Sequence, residues 1–249
     1  MKIGIIGAGS IGYNIAKKLA PNHTIKIAAS KQSEELRKKA EDIGVTAVNI
    51  REAVKDVEVL ITSIPLKAIP DLPTDLFDAV PEDIIIADTS NYYPLRDGHI
   101  EELDKGKVES VWVSEHFGRP VIKAFNNLMT HTLVYGGKPE GEEGRLAISV
   151  AGDSSKSKEI IGALINEIGF DVVDGGKIAE SWRQQPGTPG YCSELTCEEL
   201  KEALATANKE TAAKNRDQVI KLFMEKGDQL THQDMLSLNR LGNKTNKKI

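Results

Sequence analysis

The sequence Gly7-Ala8-Gly9-Ser10-Ile11-Gly12 stands between a β-branched apolar run, Ile3–Ile6, and a stretch of helical periodicity, Ile11–Leu19. G-x-G-x-x-G in that position constrains the chain more than any other feature it carries. The first glycine permits a tight turn, the second lets backbone approach a pyrophosphate, and the third lets the helix lie close on the strand. The N–H groups and dipole of the helix start then face an anion. A strand, this turn and a helix at residues 3–19 therefore predict a dinucleotide site opening a βαβ unit.

The pattern continues. Thr24–Ala28, Val57–Ile61, Ile84–Ala87 and Val111–Val113 read as further strands, and Ser33–Ile43, Arg51–Lys55 and Ile100–Lys105 as helices or helical turns. Alternation of this kind predicts an α/β fold with a doubly wound parallel Rossmann sheet. After Val121 the character changes. Tyr135–Gly144 carries four glycines and a proline and reads as a surface loop near a boundary. Leu146–Val150, Ser154–Ile168 and Phe170–Val173 form one more βαβ-like unit. Gln185–Gly190 breaks regular structure again, and Thr196 with Glu199 marks a capping box at the start of a helix. We expect a Rossmann domain over 1–122 and a smaller C-terminal α/β domain over 123–249, with a frayed tail from Gly242.

The second strand ends in Ile27-Ala28-Ala29-Ser30-Lys31, where an NAD site would place a carboxylate for the ribose 2′-hydroxyl. Ser30 can donate to a 2′-phosphate and Lys31 can pair with its charge, so NADP(H) is expected over NAD(H). The bland alternative is a capping serine beside a solvated lysine. Ser63-Ile64-Pro65 and Asp88-Thr89-Ser90-Asn91 follow the next strands. Their place at the carboxyl ends of a parallel sheet makes Ser63, Ile64, Pro65 and Asp88 cofactor-binding candidates, beside a reading as plain strand-ending turns.

Composition excludes several other classes. There are 32 Lys plus Arg against 37 Asp plus Glu, so no basic excess points to nucleic acid. No apolar run approaches the roughly 18 residues that argue for a membrane span. The stretch before Gly7 is too short for a signal-peptide core, and Cys192 and Cys197 are most simply reduced thiols, so a cytoplasmic protein is expected. Five histidines, among them His99, His116 and His131, lack metal-ligand spacing, and no G-x-S-x-G elbow is present. What remains is hydride transfer, in which the cofactor carries the chemistry and the protein supplies position. No residue stands out as an acid or base. A redox-sensing module that binds NADP(H) without turnover and a reductase of a small imine or keto acid are the alternatives.

Gly7–Gly12, Ser30-Lys31, Asp88–Leu95, Val121–Asn127 and Ala179–Pro189 together resemble the coenzyme F420-dependent NADP oxidoreductase family, and more closely its bacterial NADPH-dependent reductase branch. The Lys-Ala-Phe-Asn and Trp-Arg-Gln-Gln-Pro-Gly-Thr-Pro stretches are the specific ones. The resemblance implies a homodimer in which hydride passes between NADP(H) and coenzyme F420 in a cleft, with a flavin or another small molecule as alternative acceptors. It implies that Ala8, Gly9, Ser10 and Ile11 hold the pyrophosphate, Ser30 and Lys31 the 2′-phosphate, and that Ile64 lies along the cofactor. Residues from Ala124 to Thr130, including Asn126 and Thr130, would border the acceptor. Asn126 could fix a ring edge or only satisfy a loop. Trp182 and Arg183 could bind an anionic acceptor group or only pack between the two parts.

Overall fold

The computed structural model describes residues 1–227 and 230–244. Its first part is a six-stranded parallel sheet: β1 (Lys2–Ile6), β2 (Thr24–Ala28), β3 (Thr46–Ala47), β4 (Val59–Thr62), β5 (Ile85–Asp88) and β6 (Ile122–Lys123). Their spatial order, β3-β2-β1-β4-β5-β6, is that of a doubly wound Rossmann sheet. The central strands are apolar along nearly their whole length because helices cover both faces. Side chains alternate accordingly. Ile3 and Ile5 join a core beneath α1 (Ser10–Leu19), whereas Ile6, Leu60 and Ile86 join one that includes Trp112 and Val113 on the opposite face.

Helix α2 (Glu34–Glu41) is capped by Ser33, whose Oγ accepts from Leu36 N. Short helices α3 (Ile50–Ala53), α4 (Pro94–Asp97) and α5 (Glu101–Asp104) follow. The run Val111–Val113, expected as a strand, lies instead inside helix α6 (Glu109–Phe117). Trp112, Val113 and Phe117 of that helix are buried in one apolar core cluster, so tertiary packing overrides the β preference of two valines. Gly118, in the left-handed conformation, ends it.

Beyond β6 come α7 (Thr130–Tyr135), β7 (Ala147–Val150), α8 (Ser155–Glu167) and β8 (Asp171–Asp174), then a 3₁₀ helix over 178–184 and helices α9 (Cys197–Thr206), α10 (Lys209–Lys226) and α11 (His232–Gly242). Strands β7 and β8 pair in parallel. The expected division after residue 122 falls inside β6. Lys123 and Ala151 exchange backbone hydrogen bonds of 2.8 and 3.0 Å, tying β6 to the residue after β7. One apolar cluster crosses this line, uniting Ile5, Ile15 and Ile61 with Ile148, Ile161, Leu164 and Phe170. The glycine-rich loop is anchored as well: Lys138 N donates to Gly169 O at 2.9 Å, and buried Arg145 bonds Lys138 O, Asn166 O and Asp171 Oδ1.

The expected fraying does not begin at Gly242. That glycine packs so closely on Val219 that a Cβ would lie 2.1 Å from its Cγ2, and buried Asn243 donates to Tyr191 O at 2.9 Å. Residues 245–249 of the expected tail lie outside the described residues.

Because the core is continuous, the two parts should unfold together. Ile161→Ala, in α8, is expected to cost about 2–5 kcal/mol and to lower a single denaturation midpoint seen alike by probes in the Rossmann sheet and in the C-terminal part. Two separated transitions, with only the later residues affected, would contradict this.

Candidate functional site

The carboxyl ends of β1, β2, β4 and β5 lie together at one end of the parallel sheet. At β1, Gly7 takes φ +115°, and a Cβ there would lie 2.1 Å from Ser63 O. A Cβ on Gly12 would lie 2.0 Å from Gly7 O. These two glycines let α1 sit directly on the strand. Gly9 is different: nothing lies within 4 Å of where its Cβ would be. As N-cap it gives α1 no side-chain cap, so the first-turn N–H groups face open space instead of a protein acceptor. Backbone donors, a helix dipole and free room above Gly9 fit a pyrophosphate.

Ser30 and Lys31 lie exposed just beyond β2. The neighbouring charges are already matched, Arg37 with Glu34 at 3.9 Å and Lys39 with Glu35 at 2.7 Å. Lys31 has no such partner among the described residues and lies exposed past the carboxyl end of β2. After β4, Ser63 N donates to Ile6 O at 2.7 Å, and Ile64 borders Gly7, its Cγ2 3.1 Å from a Cβ built there. Pro65 is exposed and starts a 3₁₀ turn. The structure thus brings Gly7 to Gly12, Ser63 and Ile64 together at one turn, with Ser30 and Lys31 at the end of the adjacent strand.

Asp88 does not join them. It is 0% exposed, because strand alternation sends it to the α6 face along with Ile86. Its Oδ2 accepts from Ser110 Oγ at 2.6 Å and from Lys123 Nζ at 3.3 Å, and its Oδ1 from Ser90 N at 2.9 Å. Lys123, 1% exposed, also donates to Ser90 O, and Glu109 Oε2 lies 3.8 Å from its ammonium. Asp88 therefore shapes the 88–91 turn from beneath and does not offer its carboxylate to a ligand. Neither Glu109 nor the role of Lys123 was legible from sequence, since the ion cluster joins residues up to 35 positions apart.

Beside the first turn of α1 a cleft of ≈350 Å³ opens between the Rossmann edge and the C-terminal helices. Ile11, Phe125, Leu128, Met129, Phe223 and Met235 make its walls apolar, while Thr89, Asn126, Thr130 and His131 add polar groups. Asn126 lines the cleft, but its amide is largely committed. Its Nδ2 donates to Asn91 Oδ1 (3.0 Å) and Gln184 O (2.8 Å), and its Oδ1 accepts from Gln184 Nε2 (3.0 Å). Thr130 stands at the N-terminus of α7 on the cleft wall. Trp182 and Arg183 are not among the cleft residues. Arg183 stacks on Trp182, its Cζ 4.5 Å from the ring centre, and bonds Glu180 Oε2 at 2.9 Å and Leu204 O at 3.2 Å. The specific part of that segment is Gln184, which reaches Asn126. The sequence reading also missed Tyr93, Tyr191, Phe223, Met235 and Asn239 on the cleft wall. Met235 and Asn239 stand four residues apart on α11 and so share a face, but no local pattern marks that face as a cleft wall.

Two outcomes follow. Gly9→Ala should fold with nearly unchanged stability yet weaken dinucleotide binding in a calorimetric titration, whereas Gly12→Ala should destabilise the chain. Burial of Glu109, opposed by the Lys123 charge, pushes its carboxyl up from 4.5 to about 7. The native state then holds this proton where the unfolded chain releases it, so the stabilisation is full below the unfolded value and is lost as pH rises to about 7. Glu109→Gln should gain on the native protein by roughly 2–4 kcal/mol between pH 5 and pH 8 in denaturation experiments; a pH-independent difference would contradict the assignment.

A protein of Escherichia coli (strain K12) provisionally named YjhV is 38% identical over 122 residues, 49% of this chain and 82% of its own length. The structure of the hypothetical protein SMa0349 from Sinorhizobium meliloti superposes with a TM-score of 0.66 at 28% identity, covering 79% of this chain and 95% of that one. An Arthrobacter sp. FB24 structure, provisionally described as an F420-dependent NADP-reductase, shares the fold with a TM-score of 0.57 at 18% identity, over 72% and 86% of the two chains. Residues 2–92 match the family described as NADP oxidoreductase coenzyme F420-dependent. That match falls on the segment that builds the glycine turn and the Ser30-Lys31 edge, and the chain belongs to this family of NADP-dependent oxidoreductases.

Proposed function

We propose that the protein transfers hydride between NADP(H), held along the sheet edge, and a planar redox acceptor in the adjoining cleft, either coenzyme F420 or a flavin-like molecule. The observation that carries this reading is the position of the cleft. Ile11 belongs both to the glycine turn's helix and to the cleft wall, so a dinucleotide on the first and an acceptor in the second would meet there. NADPH, when bound, supplies the hydride. The chain's own part is to hold, orient and exclude water. The N–H groups after Gly9 would hold the pyrophosphate, Ser30 and Lys31 the 2′-phosphate, and Ile64 the ring edge nearest Gly7. The apolar walls suit a flat aromatic ligand. The Asn126, Gln184 and Asn91 amides brace the cleft floor, which keeps the geometry fixed while the ligands change.

The resemblance and the family favour F420, and the cleft chemistry suits any planar conjugated heterocycle of similar width. Purified protein mixed with NADPH should reduce at least one of F420, FMN, FAD or a ferric chelate. Tight NADPH binding without oxidation by any of them would favour a sensing module instead. Ser30→Asp with Lys31→Ala should shift the ratio of NADPH to NADH dissociation constants towards NADH by at least about tenfold, the equivalent of one charge-assisted contact of about 1.4 kcal/mol. An unchanged ratio would place 2′-phosphate recognition elsewhere.

A further inference from the structure

The cleft contains a feature that neither the glycine turn nor the family match accounts for. Tyr93, from the turn that enters α4, and Tyr191, from the loop before α9, place their hydroxyl oxygens 2.7 Å apart. They are 98 positions apart in sequence, and both line the cleft. The backbone is held in a costly conformation to bring them there. Cys192, next to Tyr191, and Phe125, across the cleft, are non-glycine residues at φ +51° and +58°. Such conformations persist where the surroundings over-determine them, and they concentrate at ligand sites. Here Cys192 N donates to Asn127 O at 3.1 Å, clamping one strained loop onto the other, and Asn243 Nδ2 pins Tyr191 O.

Resting on the hydride-transfer reading above, we propose that the Tyr93–Tyr191 phenol pair is the hydrogen-bond donor that stabilises negative charge arising on the acceptor's ring oxygen or nitrogen as it takes up hydride.

Two hydroxyl groups carry two hydrogens, and their mutual bond uses one. The other is left for an acceptor in the cleft, which both phenols line. An anionic oxygen or nitrogen there would be a strong acceptor, and the phenol that already receives a bond from its twin donates more strongly. Burial raises both phenols above the ordinary tyrosine range and pushes the Cys192 thiol up to about 12, so all three stay protonated. The pair therefore acts by donating a hydrogen bond and not by giving up a proton. With Ile11, Phe125, Leu128 and Met129 around it, little water competes for the developing charge. A preorganised neutral donor in such a wall is an oxyanion-hole device.

The test uses the full chain and two variants, Tyr93→Phe and Tyr191→Phe, each keeping its ring. NADPH dissociation constants and melting temperatures serve as controls. The single-turnover rate of F420 and FMN reduction is then measured, together with the affinity of each protein for oxidised and for two-electron-reduced forms of the same acceptors under anaerobic conditions. The expected result is a loss of about 100-fold in rate in at least one variant, the magnitude of removing an oxyanion-hole donor, with NADPH binding unchanged. The preference for the reduced, anionic acceptor should fall in parallel, and the double variant should be little worse than the worse single one. A purely packing role would not move the reduced-to-oxidised affinity ratio. Wild-type turnover that both variants match would overturn the phenol pair while leaving the hydride-transfer reading intact. Failure of the wild type to bind or reduce either acceptor would overturn that reading, and the pair's role with it.

Discussion

The close approach of α1 to β1 is what the rest of the site depends on. Gly7 and Gly12 leave no room for a Cβ where the Ser63 and Gly7 carbonyls lie, and that lack of side chains lets the helix start directly over the strand end. From this contact come the uncapped first-turn N–H groups, the free space above Gly9, and the position of Ile11 on the wall of the cleft. A methyl group at either close glycine would push the helix outward and separate the glycine turn from the adjoining cleft. Both halves of the proposed reaction meet because one helix is seated closely.

The C-terminal part completes the site from the other side. It is welded to the Rossmann unit through the backbone exchange at Lys123 and Ala151 and through a shared apolar core. Beneath the strand ends, the buried Asp88, Lys123 and Glu109 cluster fixes the 88–91 turn. An ion cluster of this kind adds little net stability once desolvation is counted, and its value lies in fixing geometry. The amides of Asn91, Asn126 and Gln184 continue that bracing to the cleft floor. Function is left to the groups that face the cleft.

Much of this was legible in the sequence where the signal is local. Ile3–Ile6 and Thr24–Ala28 read as strands because both are short runs rich in β-branched residues, and Ser33 and Thr196 cap helices as their hydroxyls suggest. The missing carboxylate at Ser30-Lys31 was visible because the site lies at a fixed distance from the glycines. What failed was decided by contacts distant in sequence. Val111–Val113 became helix because Trp112 and Phe117 pack into the core beside β5. Asp88 looked like a ligand residue until strand alternation turned it towards Ser110 and Lys123. Trp182 and Arg183 carried the conspicuous chemistry of their segment, yet the neighbouring Gln184 is the residue that reaches the site.

The central claim is that hydride leaves bound NADPH for an acceptor in the cleft beside Ile11. The most direct measurement is a single-turnover comparison of NADPH with NADPH carrying deuterium at the transferable C4 position, mixed with F420 or FMN and followed at the nicotinamide absorbance. Direct transfer predicts that deuteration slows the acceptor-dependent decay. A nicotinamide that stays reduced on the protein, or a decay indifferent to deuterium, would contradict the account.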